Sequence, residues 1–177
     1  GRAVPCAPQA NAQSLETSRG GEIQGAWVPE PWATRLVLEG GGSVLVDERS
    51  LWPDGRFVTT HVVVRTAFLT EHPELVSRVL QAHVRAVDFA NAKPDEARAI
   101  VNSGIEKLTG KALPAAIIER AWGNLTFTLD PLASSLRRSA AVATEVGLLE
   151  PVQLDGIYDL TELNAVLAVA RKPPVPL

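Results

Sequence analysis

Trp27 and Trp32 stand on either side of a short turn that carries Pro29, Glu30 and Pro31. Two indoles so placed can wall off an organic group while their N–H groups donate hydrogen bonds. The prolines stiffen the turn and would hold both rings in fixed orientations. Pro31 suits the first turn of a helix, so the backbone N–H groups of Trp32, Ala33 and Thr34 are expected to lack intrahelical partners. Such a helix start is a natural seat for a small anion. Glu30 is the awkward member, because a carboxylate repels an anion unless a cation intervenes, either Arg35 or an ammonium group on the ligand. In that setting Glu30 would favour ligands with a cationic end. The plainer alternatives are that Glu30 is a solvated residue at a helix start and that both tryptophans are core residues.

This chemistry is binding, and nothing else in the chain points to bond-making. The three histidines, His61, His72 and His83, are joined by no carboxylate pattern of a zinc enzyme, and His83 reads as a core histidine on an apolar stripe. No Gly-x-Ser-x-Gly, phosphate-loop or dinucleotide fingerprint occurs, and Gly40-Gly41-Gly42 follows a helix instead of linking a strand to one. The lone Cys6 has no partner for a disulfide. Trp52 and Trp122 read as structural. The expectation is a protein that is not an enzyme, with no catalytic residue, no metal and no cofactor.

The elements that position the turn follow from punctuation by proline and glycine. A short helix over Asn11–Arg19 ends at Gly20 and Gly21, after an irregular arm over residues 1–10. Ile23–Val28 reads as a buried strand, Ser43–Val46 as a second, and Phe57–Val64, rich in β-branched residues, as a third, with a helix after Pro31 and a Pro53-Asp54-Gly55 turn between. That order predicts an α/β layer. Beyond Arg65 the pattern turns helical. Pro73 opens a helix with one apolar stripe through Leu75, Val76, Val79, Leu80, His83, Val84 and Val87. Pro94 opens the next, closed by Gly110; Pro114 and Gly123 bracket a third. Asp130-Pro131 reads as cap and first turn of a helix running to Gly147, and Asp159 with Glu162 as a capping box for the last. The proline-rich tail, Lys172–Leu177, reads as extended and loose.

A chain of 177 residues, 46% hydrophobic and with a formal charge of −3, fits one compact globular domain with a sizeable core. Charges of both signs are interspersed, which argues against nucleic acid or an anionic membrane as partner. No apolar run is long enough to span a bilayer, and residues 1–9 lack the pattern of a secretory signal. Methionine is absent even at position 1, so a mature or excised segment is expected.

The run Gly21-Glu22-Ile23-Gln24-Gly25-Ala26-Trp27-Val28-Pro29-Glu30-Pro31-Trp32-Ala33 resembles the strand-and-loop signature of ABC-importer solute-binding proteins of the aliphatic sulfonate, nitrate and taurine family. The resemblance continues through Gly42–Asp47, Phe57–Arg65, His72–Val76 and Ala92–Ala97, and spans about Asn11 to Pro174, but not residues 1–9. It implies α/β architecture as part of a two-lobed periplasmic-binding-protein-like fold of type II, with a helix-rich C-terminal region. On it, residues 11–58 would be the end of the second lobe, 59–65 a lobe-crossing segment and 66–177 the helical part returning to the first lobe. A full member with two lobes would be roughly twice this length, so the N-terminal half is expected to be missing. Ligand-binding residues implied are Trp27, Glu30 and Trp32, with Thr59, Thr60 and His61 at the crossing, where hydroxyls reach a cleft ligand. The partners implied are a small anionic organic ligand and the ABC permease in the membrane, for a monomer working outside the cytoplasmic membrane. A thiamine-pyrimidine-type binding protein or enzyme on the same fold is the alternative.

Overall fold

The computed structural model describes residues 4–176. Residues 1–3 of the expected arm, and Leu177 of the tail, lie outside the described residues. Eight α-helices are present among them: α1 (Ser14–Arg19), α2 (Trp32–Leu38), α3 (Thr66–Glu71), α4 (Pro73–Ala92), α5 (Pro94–Thr109), α6 (Ala115–Gly123), α7 (Ala133–Glu145) and α8 (Thr161–Val169). The chain divides into two compact units, each discontinuous in sequence. The first comprises the chain up to Leu45 with Asp95–Thr126, the second Val46–Pro94 with the chain from Phe127 onward. Thr59–Arg65, read as a crossing segment, falls wholly within the second.

In the first unit α1 packs on α2 and α2 on α6, around Leu15, Thr34, Ile117 and Ala121. Glycines end α2 as the sequence predicts. The N–H of Gly40 donates to the Arg35 carbonyl at 3.2 Å and that of Gly42 to the Leu36 carbonyl at 3.0 Å. Gly41 turns the chain at φ +70°, and a Cβ at Gly40 would lie 2.7 Å from the Leu36 carbonyl oxygen, closer than any side chain tolerates. The α5–α6 connection is folded by Asn102, whose amide donates to the Leu113 carbonyl at 2.9 Å and accepts the Leu113 N–H at 2.8 Å.

The second unit is built on α4 and α8, whose Val84, Leu163, Val166 and Leu167 form its apolar cluster with Leu80, Leu129, Leu160 and Val175 against it. The expected α4 stripe is only partly used. Val76, Val84 and Val87 are buried, whereas Leu75 and Val79 face solvent. Length explains this: nine residues of α8 span about 14 Å and cannot cover the roughly 30 Å of the twenty-residue α4.

Three expectations for this unit are corrected. Asp130 and Pro131 do not start α7, which begins at Ala133 after Leu132 adopts a left-handed φ of 50°; Asp130 Oδ1 instead accepts the Leu132 N–H at 2.8 Å. At α8, Asp159 accepts the Thr161 N–H at 2.9 Å, giving half of the predicted box. The tail is held: Lys172 donates to Asp88 at 2.7 Å, while the Asn164 side chain donates to the Val175 carbonyl at 3.1 Å and accepts its N–H at 2.9 Å. A side-chain amide can mimic a strand edge in this way, so proline-rich sequence does not by itself mean a loose end.

The largest correction concerns strands. Among the described residues there is none, so the mixed α/β layer is absent and the units are helical. Ile23–Val28, Ser43–Val46 and Phe57–Val64 carry no helix and no ladder. Leu45 and Val63 are 96% and 87% exposed. The β-branched and aromatic residues favour extended backbone, but a strand exists only where a second one supplies its hydrogen bonds. In Phe57–Val64 the bond that forms goes to a side chain instead, the Val58 N–H donating to Ser135 Oγ at 3.0 Å.

Candidate ligand-binding site

In the first unit the turn from Trp27 to Trp32 enters α2 through a cis Glu30–Pro31 bond. The three backbone N–H groups expected to be free at the start of α2 are all engaged. Those of Trp32 and Ala33 donate to the Pro29 carbonyl at 3.0 and 3.2 Å, and that of Thr34 donates to Glu30 Oε2 at 3.1 Å. The anion seat is therefore filled by the chain's own carboxylate, a negative charge suited to the positive end of the helix dipole. With only seven residues, α2 has little dipole left to offer a ligand.

Glu30 accepts more than the Thr34 N–H. Its Oε1 accepts the Thr34 hydroxyl at 3.0 Å and the Asn124 side-chain amide at 2.6 Å, which ties the turn to the end of α6. Thr34 is almost completely enclosed. The sequence marks Thr34 only for its backbone N–H, not for its side chain, and does not mark Asn124 at all. The four-residue spacing from Glu30 to Thr34 and the placement of Asn124 just after the Gly123 stop are the only signals they carry.

The aromatic groups remain available. Trp27 is 71% exposed, and Trp32 is half-buried with the Arg35 guanidinium 5.2 Å from its ring centroid. Neither indole N–H hydrogen-bonds to another described residue. Arg35 also donates to Glu39 at 2.7 Å, so its charge is partly neutralised but its fork keeps further donors. Chemically, this surface offers two aromatic walls, two indole donors and a cation.

Thr59, Thr60 and His61 belong to the second unit and are described there by themselves. Both threonines are exposed, and their hydroxyls make no hydrogen bond to a described residue. His61 Nε2 lies 3.0 Å from the Pro131 carbonyl and 2.9 Å from the Tyr158 hydroxyl. A carbonyl only accepts, so the tautomer that satisfies Pro131 carries its proton on Nε2. Burial pushes the Tyr158 phenol above its ordinary pKa, against a smaller opposing pull from Arg137. Arg56, which pairs with Asp130 at 3.4 Å, fastens the same stretch to the turn before α7, and Val58, bonded to Ser135, fastens it to the first turn of α7 itself. Two hollows of this unit, one of about 90 Å³ beside Arg56, Ser135 and Arg138 and an open groove of about 350 Å³ beneath the tail, involve none of the six predicted residues. Among the described residues no group of His, Cys, Asp and Glu could hold a metal ion, and no helix is long and apolar enough to cross a membrane.

The model of the NMT1-like family matches residues 2–104, more than half of the chain and the whole Trp27–Trp32 turn. The chain belongs to the NMT1-like family. This family comprises solute-binding proteins of ABC transporters, typically extracytoplasmic, with a periplasmic-binding-protein-like fold. The family match includes residues 2–9, which had been expected to lie outside the resemblance, and stops at Gly104. No curated protein and no solved structure matches the chain.

Proposed function

We propose that this NMT1-like chain is the substrate-binding component of an ABC importer for a small organic anion of the sulfonate, nitrate or taurine type, a carrier and not a catalyst. The observation that carries the reading is the Gly21–Ala33 signature, which lies inside the span that matches the family. Its geometry supports a binding role: Trp27 and Trp32 keep free indole N–H donors, and Arg35 adds a cation beside Trp32. A sulfonate presents oxygens on several sides and is a very weak base, so it calls for N–H donors and a guanidinium in place of a catalytic base. The aromatic faces suit the organic part. Thr59 and Thr60 are further candidates, to be tested by substitution in their own right.

Calorimetric titration of the folded chain with taurine, ethanesulfonate, nitrate and a thiamine-type pyrimidine tests this. Saturable binding of a sulfonate or nitrate, weakened by Trp32→Ala, is the expected result. Binding of the pyrimidine alone would replace the reading with the alternative one, and a folded chain that binds none of the four would overturn it.

A further inference from the structure

Asn124 is placed to do something specific for the tryptophan turn. Its amide nitrogen lies 2.6 Å from Glu30 Oε1, and Glu30 is the residue through which the turn is tied to α2. The carboxylate has three donors convergent on it: the Thr34 N–H, the Thr34 hydroxyl and the Asn124 amide. Two come from the helix the turn leads into, and the third from a residue ninety-four positions away in sequence. A carboxylate holding this many donors has one orientation, and so does the segment that carries it. The segment between the two indoles, Val28-Pro29-Glu30-Pro31, contains two residues without a backbone N–H, so it has few other ways of being held.

We propose that Asn124 and Thr34 are positioning residues that lock Glu30, and that Glu30 serves the site by fixing the turn that carries Trp27 and Trp32 instead of touching the ligand. This rests on the ligand-binding reading above for its functional part. It deepens that reading by removing charge selection from Glu30: with three of its roughly four acceptor positions taken by the chain's own donors, the carboxylate is held against α2 and Asn124 and does not contact a ligand's ammonium end. Selectivity is left to the indoles and Arg35.

The lock has a distinctive chemistry that an exchange of the two side chains can test. Asn124→Asp sets two carboxylates against each other and removes the donor, whereas Asn124→Ala removes the donor alone. The double variant Glu30→Gln/Asn124→Asp restores a donor–acceptor pair in the reverse sense, with the amide now on the turn. In that arrangement the carboxamide oxygen still accepts the Thr34 N–H, and its NH₂ donates to the new carboxylate and to the Thr34 hydroxyl.

The experiment measures, on the whole chain, hydrogen exchange of the Thr34 amide and titration with taurine and ethanesulfonate, with circular dichroism confirming the fold of each variant. Asn124→Asp is expected to lose roughly tenfold in Thr34 protection and in affinity for both ligands, Asn124→Ala less, and the double variant to regain most of the loss. Glu30→Gln alone is expected to leave the ratio of the two affinities unchanged, since the Asn124 amide can turn to accept. A double variant no better than Asn124→Asp overturns the lock. A Glu30→Gln variant that shifts the taurine-to-ethanesulfonate ratio also overturns it, because it places the carboxylate against the ligand. If the wild-type chain binds neither ligand while Thr34 exchange follows the predicted order, the lock stands and the ligand reading fails.

Discussion

Thr34 and Leu167 are the largest side chains fully enclosed by the described residues, one in each unit, and they are enclosed for opposite reasons. Leu167 sits among Val84, Leu163 and Val166, where burial itself is the stabilising term. Thr34 is surrounded by partners for its polar atoms, and its hydroxyl and N–H both donate to Glu30. Apolar contact is tolerant in direction, so the α4–α8 pair needs only the right volume. Hydrogen bonds are directional, and in the first unit they fix a turn that leaves Trp27 in solvent. An exposed aromatic carried on a fixed turn is what a binding surface needs. The second unit uses directional bonds too, through His61, Tyr158 and Ser135, but there they hold a stretch whose exposed hydroxyls are short.

Substitutions that separate these two kinds of support should differ in size. The largest effect is expected from Leu167→Ala, which removes the centre of the apolar cluster and should cost about 2–5 kcal/mol in chemical denaturation of the second unit; a loss under about 1 kcal/mol would mean that the cluster is not its main support. Ser135→Val leaves the Val58 N–H without its acceptor and should cost about 1–3 kcal/mol, read in the same way. Trp27→Ala tests the other side of the comparison, since a residue this exposed should lower ligand affinity about tenfold while leaving the denaturation midpoint nearly unchanged. Equal damage to stability would return Trp27 to the core. Tyr158→Phe keeps the ring against His61 and deletes one hydroxyl, for about 0.5–1.5 kcal/mol.

The smallest effect concerns acid. Hydrogen bonds from Thr161 hold the Asp159 carboxyl below its ordinary pKa. Its folded value is therefore lower than its unfolded one, so the stabilisation is present above the unfolded pKa and lost as pH falls through the folded one. Because Asp159 is exposed, the expected outcome is local: the Thr161 amide at the start of α8 should lose protection, measured against its intrinsic exchange rate at each pH, below about pH 4, and Asp159→Asn should flatten that dependence.

Helix positions were readable from local chemistry, and the reason is that their signals act within a few residues. Pro31, Pro73, Pro94 and Pro114 mark starts, while Gly21, Gly41, Gly110 and Gly147 mark stops, because a missing N–H or a positive φ is felt by the adjoining turn alone. The one short helix that escaped, α3, has no such mark in front of it. The candidate site was half readable. Trp27 and Trp32 announce themselves as large amphipathic rings around a proline-stiffened turn, and the family match covers them.

What the amino-acid sequence determined by itself was therefore the helical frame, the aromatic turn and membership of a solute-binding family. Tertiary structure alone decided which polar groups are spent. Glu30 is claimed by Asn124 ninety-four residues later, and His61 by Pro131 and Tyr158, seventy and ninety-seven residues on. It also decided that Ile23–Val28, Ser43–Val46 and Phe57–Val64 stay unpaired. A helix closes its hydrogen bonds within one segment, whereas a strand or a long-range acceptor depends on what the rest of the chain brings alongside.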